Sequence, residues 1–151
     1  MSKKEWGNIT WILMHSLAEK INEEKFNECK NILVKIIFDI CKNLPCPDCR
    51  EHAIESLKAS KINNISNKSD LKSFLWEFHN IVNKKLKKDI ISFEECNDKY
   101  SKAKFGTIVI TFFKVYNNIM YVEKMMADSF HRKRFLINLM KDLTSIKKYI
   151  Q

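Results

Sequence analysis

Glycine and proline are the residues that turn a chain sharply, and this one has two of each. Hairpins need such residues at every reversal, so a β-rich fold of 151 residues is excluded and an all-α fold is expected. The length suits one domain with a real core, and the 45% of hydrophobic residues is enough to fill it.

Periodicity divides the chain into helices. A first helix is predicted over about Lys4–Asn22, with Ile9, Leu13, Leu17 and Ile21 as its core stripe. A second is predicted over Phe26–Lys42, burying Ile32, Leu33, Ile36, Ile37 and Ile40. Pro45 and Pro47 end it, and Pro47 suits the first turn of a third helix running to about Lys61. Residues 63–69 read as a loop, and a fourth helix follows over about Asp70–Lys88. On its wheel Leu71, Phe74, Leu75, Phe78, Val82 and Leu86 share an apolar arc beside Trp76, His79, Asn80 and Asn83. Ser92 with Glu95 reads as a capping box for a fifth helix ending near Gly106. The remainder reads as two further helices with Asp128 as an N-cap between them. The apolar Met120, Met125, Met126, Phe135, Leu139 and Leu143 there suggest packing or self-association.

The net charge of +9 invites a nucleic-acid reading, which predicts binding that weakens steeply with salt. Lysines are scattered rather than massed and arginine is scarce, so no specific nucleic-acid partner is expected. Phe105–Val122 is the most apolar stretch, yet Lys114, Asn117 and Asn118 interrupt it, so a buried helix rather than a membrane span is expected. Met1–Glu5 is polar, and no secretory signal is expected. Five cysteines, an odd number, argue against a structural disulfide framework and for a catalytic or metal-binding use.

Cys46-Pro-Asp-Cys49 falls where the third helix begins. Free N–H groups and the helix dipole favour a thiolate at such a place. One cysteine of an oxidised pair can then be attacked by an outside thiol while the other leaves as thiolate. The alternative is a zinc-stapled helical adaptor using Cys41, Cys46, Cys49 and His52; it lacks the distant second ligand pair usual for zinc built on such a motif, so no metal is expected. Cys29 and Cys41, if on one helix, stand about 18 Å apart, beyond disulfide reach.

Two helices carry aromatic and polar residues on one face. Gly7, Trp11, His15 and Ala18 line the first, and Trp76, His79, Asn80 and Asn83 the fourth. Aromatic walls with a few edge-on hydrogen-bonding groups suit a flat ring such as a flavin or adenine, although satisfied core is the commoner use of such residues. There is no glycine-rich phosphate loop, so a dinucleotide would have to meet side chains such as Lys85 or Lys88.

These residues resemble the flavin-linked sulfhydryl oxidases of the Erv/ALR type. Trp6-Gly7, Thr10-Trp11 and His15 look like the family's opening block, Cys46-Pro47-Asp48-Cys49 like its redox pair with His52 following, and His79-Asn80-Ile81-Val82-Asn83 through Lys88 like its third block. The resemblance implies a four-helix bundle core with a short fifth helix over residues 1–104, FAD held within it, and usually a homodimer. Residues 105–151 form a helical extension outside it, of unknown role. It also implies that Trp11 and His15 contact the flavin nucleotide from the first helix, and His79, Asn80, Val82 and Asn83 from the fourth. Lys88 would sit near the pyrophosphate, with Lys85 the lesser candidate, Cys49 beside the flavin and Cys46 facing substrate. The activity implied is disulfide formation in a thiol-containing protein or small dithiol, with electrons passed to O2 to give H2O2. Compact members from large DNA viruses look most similar, which implies host cytoplasm or virion as the setting. Two departures stand out: Cys96 lacks the later cysteine many members pair it with, and no separate shuttle pair is present.

Overall fold

In a computed structural model the backbone is described for residues 3–122 and 126–151, and side chains for 4–119 and 130–151. Seven helices follow one another among these residues: α1 (Lys3–Lys20), α2 (Phe26–Lys42), α3 (Pro47–Ala59), α4 (Lys68–Lys85), α5 (Phe93–Ser101), α6 (Phe105–Val122) and α7 (Met126–Ile146). The all-α expectation holds.

The core is built from the stripes the periodicity marks. Ile9, Leu13, Leu17 and Ile21 are all buried, as are Leu33, Ile36, Ile37 and Ile40, while Ile32 is partly covered. Each such side chain contributes about 1.5–3 kcal/mol relative to exposure. On α4 Leu71, Leu75 and Phe78 are buried, Phe74 and Val82 pack partly against the core, and Leu86 stands 42% exposed past the helix end.

Several boundaries differ from expectation for local reasons. α1 stops at Lys20 because Ile21 enters an antiparallel bridge with Ile150, supported by Asn22 N–H to Tyr149 O (2.7 Å) and Gln151 N–H to Lys20 O (2.8 Å). α4 starts earlier than Asp70 because Asn67 caps it, its side chain accepting from Asp70 N–H at 2.8 Å. It ends before Lys88 because Lys87 adopts a left-handed φ of 57°, closed by Lys88 N–H to Asn83 O at 2.8 Å. Ser92 caps α5 as expected, accepting from Glu95 N–H (3.2 Å), but that helix ends at Ser101. Gly106, expected as its stop, lies instead in the first turn of α6. Asp128, expected as an N-cap, lies within α7. The side chains of Asp128, Met120, Met125 and Met126 fall outside the described residues.

The C-terminal helices enter the same hydrophobic cluster. Phe112, Tyr116, Leu139 and Ile146 are almost completely buried in it, alongside Leu13 and Ile36. α6 packs on α1 and α7 on α2. The Tyr116 hydroxyl lies 2.7 Å from Thr10 Oγ1, and Thr10 donates to the Trp6 carbonyl, so Tyr116 is the donor in their pair. The cluster therefore runs across residue 104, where the resemblance ends. Among the described residues no helix is long and apolar enough to cross a membrane.

Candidate active site

α1 and α4 lie side by side and bring their imidazole faces together. His15 Nε2 and His79 Nδ1 are 2.9 Å apart. The Trp11 indole stacks on His79 with ring centres 4.0 Å apart and planes 6° apart, and Phe78 meets the other side of the cluster edge-on to Trp11 at 5.1 Å. α5 completes the group. Tyr100 stacks on His15 at 4.7 Å, and Cys96 Sγ lies 3.7 Å from His15 Nδ1. Spacing within α1 or α4 gave no sign of Cys96 or Tyr100, although they are four apart and so share one face of α5.

Burial sets the protonation of this cluster. His15 is lowered to about 3, by burial first and then by His79 and Lys99. His79 is lowered to about 4, by burial first and then by Lys99 and Lys88. Both rings are neutral at pH 7. Burial raises the Cys96 thiol and pushes Tyr100 up to about 12, so both keep their protons.

The other residues of the two faces divide. The Trp76 indole N–H donates to the Ile91 carbonyl (2.7 Å). The Asn80 amide donates to the same carbonyl (2.9 Å) and accepts from Ile91 N–H (3.1 Å). These two thus brace the segment between α4 and α5. Val82 and Asn83 are half-buried, and Lys85 and Lys88 are exposed. Gly7 is partly exposed, and a Cβ built there would meet nothing within 4 Å.

The cysteine pair occupies the start of α3. Cys46 is its N-cap, with Pro47 in the first turn and Cys49 N–H directed at Cys46 Sγ, 3.3 Å away. Sulfur here takes the place that a Ser or Thr oxygen holds in an ordinary cap. Both cysteines are partly exposed. Arg50 folds back to donate to the Leu44 carbonyl at 2.8 Å, holding the loop before Cys46. Cys29 and Cys41 are buried, and burial pushes the Cys41 thiol up to about 12. Among the described residues no group of three or more His, Cys, Asp or Glu is placed to hold a metal, so Cys41, Cys46, Cys49 and His52 are not gathered into a zinc site.

The profile of the Erv1/Alr family matches residues 8–105, which hold both imidazole faces and the cysteine pair. The chain belongs to the Erv1/Alr family. Among its relatives, the FAD-linked sulfhydryl oxidase of African swine fever virus (isolate Tick/Malawi/Lil 20-1/1983) is 31% identical over 103 residues, 68% of this chain and 86% of the relative. The rice FAD-linked sulfhydryl oxidase ERV1 is 28% identical over 102 residues, 68% of this chain, and the match spans 52% of the rice protein. The probable FAD-linked sulfhydryl oxidase of fowlpox virus is 29% identical over 83 residues, 55% of this chain and 80% of the relative. No solved structure matches. The Erv1/Alr stretch ends as α6 begins, so Thr10, within it, is bonded to Tyr116, outside it.

Proposed function

We propose that the chain is an FAD-linked sulfhydryl oxidase that forms disulfides in a thiol-containing protein or small dithiol. The observation that carries this reading is the cysteine pair at the first turn of α3, with Cys46 as cap and Cys49 three residues on. A substrate thiolate attacks Cys46 Sγ in the Cys46–Cys49 disulfide, and Cys49 leaves as thiolate. The second substrate thiol then attacks the sulfur bound to Cys46, releasing Cys46 and the oxidised substrate. FAD, when bound, would supply the redox chemistry by which the electron pair of the reduced cysteines reaches O2 and gives H2O2.

The residues present fit such a cofactor by their chemistry. The stacked Trp11–His79 pair offers an aromatic wall. His79 has an Nε2 without a hydrogen-bond partner among the described residues, and Lys88 bears on this ring electrostatically, as suits an anionic nucleotide. His15, Val82, Asn83 and Lys85 complete the proposed set, and the open space over Gly7 leaves room for a flat group. Trp76 and Asn80 support it through Ile91, whose backbone their polar groups already engage. A homodimer is part of this reading, and the viral relatives support a setting in host cytoplasm or virion.

The test is Cys49→Ser. The variant keeps the flavin absorbance near 450 nm and loses dithiol-dependent oxygen uptake; retained uptake would overturn the reading. Trp11→Ala and His79→Ala should each release flavin on gel filtration, and normal retention by both would move the site elsewhere.

A further inference from the structure

Three polar groups in the cluster form a chain that crosses three helices: Cys96 Sγ on α5, the His15 ring on α1, and the His79 ring on α4. A neutral imidazole carries one N–H and one bare nitrogen, so the direction of the first bond decides all the others. Two directions exist. In one, the thiol donates to His15 Nδ1, His15 Nε2–H donates to His79 Nδ1, and His79 is left with an N–H at Nε2. In the other, His15 Nδ1–H points at sulfur, and His79 ends in a bare nitrogen.

The surroundings choose the first. His15 is 5% exposed, and sulfur is a weak acceptor. The reversed chain would leave a strong buried N–H almost unsatisfied, which is costly. The forward chain puts the thiol's one proton on a good nitrogen acceptor instead. Stacking of Trp11 on His79 and Tyr100 on His15 holds both ring planes, and the His15 Nε2–His79 Nδ1 and His15 Nδ1–Cys96 contacts set which edge faces which. Lys88 and Lys99 lie close enough to His79 to bear on it, so a group bound beside this ring is expected to be anionic and to call for a donor.

We infer that Cys96 is a positioning residue: its S–H fixes both histidine rings as Nε2–H tautomers and so presents a hydrogen-bond donor from His79 to the phosphate or ribose groups of the bound nucleotide. The ligand at the end of the chain rests on the proposed function. The role of Cys96 does not, since the thiol and both rings are in place without it. The cysteine left without a downstream partner in the sequence thereby acquires a use that needs it reduced.

The experiment is long-range proton–nitrogen NMR of the histidine rings in the full-length chain without flavin, on wild type and Cys96→Ala. The exposed His52 and His131 serve as internal references. Wild type should show His15 and His79 protonated at Nε2 alone, and C96A should show His15 mixed between tautomers. Flavin binding by C96A should weaken about fivefold, the worth of one neutral hydrogen bond. Cys96→Val, which lacks the donor but fills the space, should behave like C96A and separates the proton from the packing. Wild-type rings protonated at Nδ1, unchanged tautomers in both variants, or tautomer mixing with unchanged flavin affinity would each overturn the inference. Wild type that took up no flavin would overturn the oxidase reading, and the ring spectra would still decide whether Cys96 sets the polarity.

Discussion

His15 and His79 fold as neutral rings, and this gives the protein a pH dependence of definite sign. Their folded-state values, about 3 and about 4, lie below the ordinary 6.5, so the unfolded chain takes up protons first as pH falls. The stability of the neutral pair is fully present above pH 6.5 and is lost as pH falls toward 4 and then 3. Between pH 6.5 and 5, above the carboxylate range, His15 should account for a loss of about 2 kcal/mol, read as a falling urea midpoint. A flat midpoint over that range would contradict the buried neutral rings. Lys87 holds a left-handed φ of 57° without being glycine, so Lys87→Gly should stabilise the chain by about 0.5–1 kcal/mol, seen as a higher melting temperature. At this scale the sequence was informative about residue type. Trp11, His15 and His79 stood out as an aromatic and imidazole set, and the structure brings them together. It could not show that the polar groups of Trp76 and Asn80 are taken by Ile91, because the backbone conformation of residues 86–92 follows no periodicity.

Elements hold the reactive groups in place. The start of α3 was legible because Pro45 and Pro47 end one helix and Pro47 suits the first turn of the next, and the helix does begin there. The end of α4 was harder, since Lys87 carries no sign of a left-handed residue. The segment from Leu86 to Ser92 is held by Asn80, whose amide both donates to and accepts from Ile91. Asn80→Ala should therefore speed amide hydrogen exchange at Ile91 and cost about 1–2 kcal/mol before any ligand is bound. Unchanged exchange there would show that Trp76 alone suffices. Ser92→Ala removes the cap of α5, which carries Cys96 and Tyr100, and should cost about 1 kcal/mol in thermal unfolding.

At the scale of the molecule, the C-terminal helices are part of what holds the site. Tyr116 on α6 donates to Thr10 one residue before Trp11, and the chain's last residues pair with Lys20–Asn22 at the far end of α1. The Lys35–Asp142 ion pair between α2 and α7 adds little, being largely exposed. Ending the chain at Lys104 would remove Phe112, Tyr116, Leu139 and Ile146 from the core. At about 1.5–3 kcal/mol each, their sum rivals the whole margin of about 5–15 kcal/mol by which domains are stable. The truncated chain should show no cooperative melting transition, and one that melted like the full chain would show α6 and α7 to be dispensable.

The sequence by itself determined the helices, their buried stripes, the cysteine pair at a helix start and the family to which the chain is similar. All of these are written in spacings of a few residues, where periodicity, caps and motifs act. Tertiary structure decided the rest: His15 against His79 at a separation of 64 residues, Cys96 against His15 at 81, and Tyr116 against Thr10 at 106. No local pattern encodes such pairs, because each depends on how two or three helices settle against a shared core. That settling turned a leftover cysteine into a hydrogen-bonding partner of the site.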